Sequence, residues 1–460
     1  MNNIQTGQSS RETALIIMYN IEEKDAYANL ELNKVISNSE FSVRDRGFIT
    51  ELVYGSIRMQ GTLNYVLGLF LKKPIDSLPV WIRLILRLGT YQIMFMDHVP
   101  DRAAVNESVN LAKKYGHPGT VKLVNGVLRN ISRNRENLIY PSLNQDPAAY
   151  ISTVYSHPRW LVERWMKQFG IEGCISLCKV DNEPPCVTIR TNTLKITRDQ
   201  LMKCLIKEGV KCRPGYYTPE GVILEEVSSV AFLSSFQEGL YQVQDESSML
   251  VAHVLSPKPG SNVLDACAAP GGKATHAAQM MQNQGLIKAF DIYPHKLNLI
   301  RENCIRLGIN MIEVCHGDAQ SFPQELNNWA DYTLVDAPCS GLGVLRRRPD
   351  SRWRKSESTI KELISLQKNI LFSAAKTVKP GGILVYSTCT ITPEENELMV
   401  EWFIKTCPQF ELVEISSLLP FSLKDCEQAW SNKGMIQFLP HVHGMDGLFI
   451  ARMKRKERFD

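Results

Sequence analysis

At 460 residues, with 44% hydrophobic and 22% charged side chains, the chain has room for about three domains and the make-up of an ordinary globular protein. No run of about 18 uninterrupted apolar residues is present, and Met1–Gly7 has neither the basic nor the apolar region of a secretory signal, so a cytoplasmic protein with no membrane partner is expected. Twelve cysteines without a Cys-x-x-Cys exclude a disulfide scaffold and predict no metal centre, while the net charge of +4 resides in residues 1–140, which hold 17 basic and 13 acidic side chains and fit an anionic partner.

Residues 1–140 read as helices. Ala14, Leu15, Met18 and Ile21 form one apolar face, Val121, Val124, Leu128 and Ile131 another, and similar faces recur over 44–58, 79–95 and 103–115. Turn signals at Lys73-Pro74, Val99-Pro100-Asp101 and Gly116-His117-Pro118-Gly119 separate them. No strand alternation interrupts, so an all-helical domain is predicted. Residues 141–149 form a polar, Pro-containing linker.

A small α+β module is predicted over 150–240. A helix begins after Pro158, a strand covers 187–192, a helix 198–208, and a second strand lies near 222–224. From 241 to 460 the pattern becomes regular β-α alternation. Strands are predicted at 262–265, 286–291, 312–315, 332–336 and 382–387, with helices over 274–281, 294–307 and 360–378. Such alternation predicts an α/β fold with a parallel, doubly wound, Rossmann-like sheet.

In that architecture ligands bind at the carboxyl ends of the strands. Here those ends carry Asp265, Asp291, Asp318, Asp336 and the thiols Cys339 and Cys389. One acid after a strand is often only a cap or turn residue. Four on successive strand ends, with two thiols, point to a site. The loop Cys267-Ala268-Ala269-Pro270-Gly271-Gly272-Lys273 lacks the Gly-x-Gly-x-x-Gly of a dinucleotide fold and the outer Gly and Ser/Thr of a P-loop. Asp291 lies 26 residues after Asp265, near the offset of a ribose-binding acid. A ligand with a ribose but no phosphate, S-adenosylmethionine, fits best. Two thiols beside a nucleotide-type loop suggest covalent catalysis on a base, and from spacing alone either cysteine serves as nucleophile.

Asp-Ala-Cys-Ala-Ala-Pro-Gly-Gly-Lys at 265–273, Asp-Ala-Pro-Cys-Ser-Gly-Leu-Gly at 336–343, Tyr-Ser-Thr-Cys-Thr at 386–390, the run 346–353 and His-Gly-Met-Asp-Gly-Leu-Phe at 443–449 together resemble the RNA cytosine-C5 methyltransferases. The helical region, with Arg44-Asp45-Arg46-Gly47-Phe48 and Val124-Asn125-Gly126-Val127-Leu128-Arg129, resembles a NusB-type RNA-binding domain. The combination is similar to the bacterial 16S ribosomal RNA branch of that family, the RsmB/Sun/Fmu type. It spans nearly the whole chain and is weakest at 1–10 and about 411–432.

The resemblance implies addition by Cys389 to C6 of cytosine, assisted release by Cys339, and an acid role at N3 for Asp336. It also implies S-adenosylmethionine contacts from Cys267 to Lys273 and from Asp291, Asp318 and Asp336. Its implied partner is small-subunit ribosomal RNA, unassembled or partly assembled. Arg346, Arg347, Arg348 and Arg352, interleaved with Trp353, are expected to contact RNA phosphates. Two other function classes fit less well: a non-catalytic RNA-binding scaffold has no need of two thiols and a cofactor loop, and the NusB-type region opposes a DNA methyltransferase.

Overall fold

In a computed structural model, which describes residues 9–24, 26–37, 41–225 and 230–457, apolar periodicity becomes helices Ser10–Glu23, Ala28–Ser37, Val43–Arg58, Gln60–Phe70, Val80–Phe95, Asp101–Tyr115 and Pro118–Asn134. Ser9 and Ser42 cap the first and third of these, each accepting a backbone N–H from three residues on. Val80–Phe95 is buried on nearly every side, with Leu84, Ile85, Leu86 and Leu88 at most 1% exposed. It is the axis of a helical core built also from Leu15, Leu52, Leu63 and Val124. By their contacts, Met1–Pro184 and Leu345–Arg354 form one compact unit, and Pro185–Val344 with Lys355–Asp460 form the other. The helices Pro147–Val154 and Arg159–Asn182 fall in the first unit, although the sequence pattern puts residues 147–149 in the linker and the rest in the small module.

The second unit holds two sheets. The smaller is antiparallel and comprises β1 (Val187–Thr191), β2 (Lys211–Pro214), β3 (Gly221–Glu225) and β4 (Tyr241–Val243), in the order β2-β3-β1-β4. Leu201 and Leu205, from the helix Arg198–Lys207, share a core with Ile189, Val222 and Leu224 of this sheet.

The larger sheet comprises β5 (Asn262–Asp265), β6 (Leu286–Asp291), β7 (Ile312–His316), β8 (Ala330–Asp336), β9 (Val378–Thr388), β10 (Phe410–Leu412), β11 (Met435–Phe438) and β12 (Leu448–Arg455). Its order is β10-β12-β9-β8-β5-β6-β7, with β11 paired to β12. From β7 to β9 the strands are parallel, as the alternation predicts. The C-terminal strands depart from that pattern: β12 runs antiparallel to β9, and β10 and β11 run antiparallel to β12. The result is a mixed sheet with helices.

Candidate active site

Strand order in the large sheet reverses at β5. The strands β6 and β7 extend to one side, and the chain returns to place β8 and β9 on the other. A crevice forms outside the carboxyl ends at such a point, and there the sequence places its acids and thiols.

The loop after β5 hangs between the neighbouring strands. Ala266 N donates to Leu334 O at 2.9 Å, and Ala268 N donates to Phe290 O at 2.8 Å. The Ala269–Pro270 bond is cis, and Pro270 O accepts from Asn303 Nδ2 at 2.9 Å. Gly271 adopts φ +99°, and a Cβ there would approach Ile300 to 3.3 Å, so a side chain at this turn is disfavoured on both counts. Gly272 opens the helix Gly272–Met280.

Charge is concentrated against this loop. Asp265 is 1% exposed; its Oδ1 accepts from Cys267 N, and its Oδ2 is buried without a partner. Burial, and then Asp336, push its carboxyl up to about 7. Burial and the surrounding carboxylates likewise push the Cys267 thiol up, which leaves it an inert loop thiol. Lys273 Nζ donates to Asp336 Oδ2 at 2.7 Å. Burial works against the ammonium, but Asp336 outweighs it and holds Lys273 above its usual value. At the neighbouring strand ends, half-buried Asp291 accepts from Tyr293 N at 2.9 Å, and exposed Asp318 accepts from Gln320 N at 2.9 Å.

The β8–β9 register sets Asp336 opposite Ser387, and Ser387 Oγ donates to Asp336 Oδ1 at 2.8 Å. The following loops therefore run side by side, with Cys339 Sγ 3.4 Å from Cys389 Sγ. Contact with Cys389, and then burial, push Cys339 well above the usual thiol range. That shift favours the thiol form of Cys339 beside the Cys389 sulfur.

Glu395 and Gln367, which lie in no motif, help to hold this pair in place. Buried Glu395 accepts from Ser340 N at 2.8 Å, from Ser340 Oγ, and from Gln367 Nε2 at 3.0 Å. Ser340 Oγ also meets Thr390 Oγ1 at 2.7 Å, tying the residue after one cysteine to the residue after the other. Gly343 N donates to Cys389 O at 3.1 Å, and a Cβ on Gly343 would lie 2.6 Å from Gly447 O. That contact explains the glycine and brings the 443–449 motif to the site. No local pattern reveals Glu395, which lies 55 residues from Ser340.

The basic run behaves differently from expectation. Arg352 is 0% exposed. Its Nη1 donates to Ser156 O at 3.0 Å and Asn182 Oδ1 at 2.8 Å, and its Nη2 donates to Asp181 O at 3.0 Å. Trp353 packs against the helical core and donates to Ile57 O at 2.8 Å. Arg352 is therefore a buried structural anchor of the first unit rather than a phosphate contact. Arg346 is also buried and Arg347 half-buried, which leaves Arg348 as the exposed member of the predicted set.

Among the described residues, Glu220, His253 and His276 form a three-residue group of metal-ligand type that the sequence spacing does not reveal. Both imidazole Nε2 atoms contact the same carboxylate oxygen, Glu220 Oε1, at 2.9 and 3.1 Å. The two Nε2 contacts tie the three side chains together, while His276 Nδ1 is buried without a partner. Burial and Arg190 pull His276 down to about 4, so it carries no charge near neutrality.

Three family models match the chain. Residues 252–454 match the family described as 16S rRNA methyltransferase RsmB/F, residues 8–133 match the NusB family, and residues 157–231 match the RsmF/B-like ferredoxin-like domain. The crystal structure of PH0851 superposes with a TM-score of 0.82 at 27% identity, covering 98% of this chain and 100% of that one. NSun6 from Pyrococcus horikoshii, solved with SFG, gives a TM-score of 0.58 at 28% identity and covers 66% of this chain and 99% of that one. The probable ribosomal RNA small subunit methyltransferase B of Bacillus subtilis is 40% identical over 452 residues, spanning 97% of this chain and 99% of the relative. With that identity over nearly its full length, the chain belongs to the RsmB/F family of ribosomal RNA small subunit methyltransferases.

Proposed function

We propose that the protein methylates C5 of a cytosine in small-subunit ribosomal RNA through a transient bond between Cys389 and C6. The observation that carries the reading is the pair of sulfurs 3.4 Å apart at adjacent strand ends, beside the Asp336–Lys273 ion pair. The loop 267–273, with Asp265, Asp291 and Asp318, fits S-adenosylmethionine: its glycine turn permits close backbone approach, and the buried, unpartnered Asp265 Oδ2 faces an otherwise unmet hydrogen-bonding demand. When bound there, S-adenosylmethionine supplies the electrophilic methyl group that C5 takes up.

The chain's own residues do the rest. Cytosine C5 is a poor nucleophile until a thiolate adds to C6 and pushes electron density toward N3 and C5. Asp336, with Lys273 Nζ 2.7 Å away, meets the N3 side of the ring. Solvent takes up the C5 proton, the C5–H electron pair re-forms the C5–C6 double bond, and the C6–S bond breaks to release Cys389 as a thiolate. Cys339, kept protonated, donates toward the departing Cys389 sulfur. Arg348 is the candidate phosphate contact, and the base must leave its stack to reach the thiols.

Each cysteine is replaced by alanine and incubated with S-adenosylmethionine and small-subunit RNA. Cys389→Ala is expected to abolish methylation and the RNA-linked band on a denaturing gel. Cys339→Ala is expected to accumulate that band. The reverse pattern would exchange the two roles. Bisulfite mapping that finds no cytosine dependent on the enzyme would overturn the C5 assignment.

A further inference from the structure

Behind the cofactor loop stands a charged side chain from a different sheet. Arg190, on β1, is 0% exposed. Its Nη1 donates to Gly272 O at 2.6 Å and to Gln244 Oε1, and its Nη2 donates to Thr275 Oγ1 at 3.0 Å. Thr275 Oγ1 passes the restraint on by donating to Gly271 O at 2.7 Å. Both carbonyls of the Gly-Gly turn are thus tied, directly or through one hydroxyl, to a single guanidinium. Two residues along, Asn192 repeats the attachment: its Nδ2 donates to Leu307 O at 2.8 Å, and its Oδ1 accepts from Gln279 Nε2 at 2.8 Å.

A guanidinium is costly to bury, and a stabilising role alone is better met by an apolar side chain of similar volume. Burial pulls Arg190 down to about 9, with Glu220 supporting its charge. Glu220 is in turn fixed by His253 and His276. What the charge supplies that an apolar side chain cannot is a rigid fork of donors. The fork is aimed at the first turn of the helix that carries the cofactor loop, where two glycines provide no side chains to stiffen the backbone.

We propose that Arg190 is a positioning residue for the cofactor: the small sheet reaches through it to hold the Gly271–Gly272 turn in its binding shape, without touching the ligand. The inference rests on the assignment of that loop to S-adenosylmethionine. It makes the small module a working part of the cofactor site.

The test measures S-adenosylmethionine binding by calorimetry and methyl transfer to small-subunit RNA, for the intact chain, Arg190→Ala, Arg190→Lys, Thr275→Val and Asp291→Ala. Arg190→Ala should weaken binding about tenfold or more and raise KM for the cofactor equally, with kcat at saturating cofactor and KM for RNA within about threefold. Arg190→Lys, which retains a donor but loses the fork, should recover part of the loss. Thr275→Val, which leaves the arginine in place, should show a smaller loss of the same kind. Should Arg190→Ala fail to fold, the lysine and valine variants carry the same comparison. Unchanged binding in all three, beside an intact chain that binds and an Asp291→Ala variant that does not, overturns the role of Arg190 and leaves the cofactor assignment standing. An intact chain that binds no S-adenosylmethionine overturns the assignment itself.

Discussion

Replacing Asp265 with asparagine should make the second unit more stable near neutral pH. The carboxyl is 1% exposed, has one oxygen without a partner, and is pushed up to about 7 from an ordinary 3.8. Each unit of such a shift corresponds to about 1.4 kcal/mol, so ionising this group in the folded state costs on the order of 4 kcal/mol. The direction follows from proton counting. Below pH 3.8 the group is protonated both folded and unfolded, and no penalty exists. Between 3.8 and about 7 the unfolded chain releases the proton while the folded chain keeps it, so stability falls by about 1.4 kcal/mol per pH unit. Above about 7 both forms are ionised and the loss is constant. Asparagine has nearly the same shape, can still accept from Cys267 N, and carries no titrating group. In thermal scans, the melting temperature of Asp265→Asn minus that of the unsubstituted protein should grow by roughly 5–10 °C between pH 5 and 7 and then level off. A difference that stays flat or shrinks over that interval would mean that Asp265 is already ionised in the fold.

Glu395→Gln should lower methyl transfer at least about tenfold at unchanged KM for RNA, because an amide cannot accept from Ser340 N, Ser340 Oγ and Gln367 Nε2 together; a stopped-assay kcat and KM determination reads this out, and a kcat equal to that of the unsubstituted enzyme refutes the role. Arg352→Ala should destabilise the first unit by about 3 kcal/mol or more, since it strands Ser156 O, Asp181 O and Asn182 Oδ1; a melt within experimental scatter of the unsubstituted protein contradicts the anchor reading. Arg348→Ala, at an exposed position, should leave the melt unchanged and reduce the salt dependence of RNA binding by about one ion; an unaltered slope removes Arg348 from the interface.

The strands β5 and β6 are legible to the residue because each is a short apolar run ended by an acid. The parallel core follows from their alternation with helices. The antiparallel end of the sheet is not legible in the same way. The strands β10 and β11 have three and four residues, too few to display a period. In β12, Arg452, Lys454 and Arg455 interrupt the apolar pattern, and pairing with β9, β10 and β11 decides its conformation.

The same division runs through the site. Acids and thiols that follow strands are visible because a doubly wound sheet gathers strand ends at one edge, so sequence position alone predicts that they meet. Arg352 shows the limit of that inference: a run of charges reports composition, but exposure is set by what packs around it, here the carbonyls of residues 156 and 181. Arg190 and Glu395 mark the opposite limit. Each works on a backbone far away in the chain, Gly272 and Ser340, and only the closed fold brings donor to acceptor. The chemistry of the site is therefore written in local motifs, whereas its rigidity depends on buried polar residues without motifs. Substitutions at those residues should alter how well the cofactor and the two thiols are held before they alter which reaction is run.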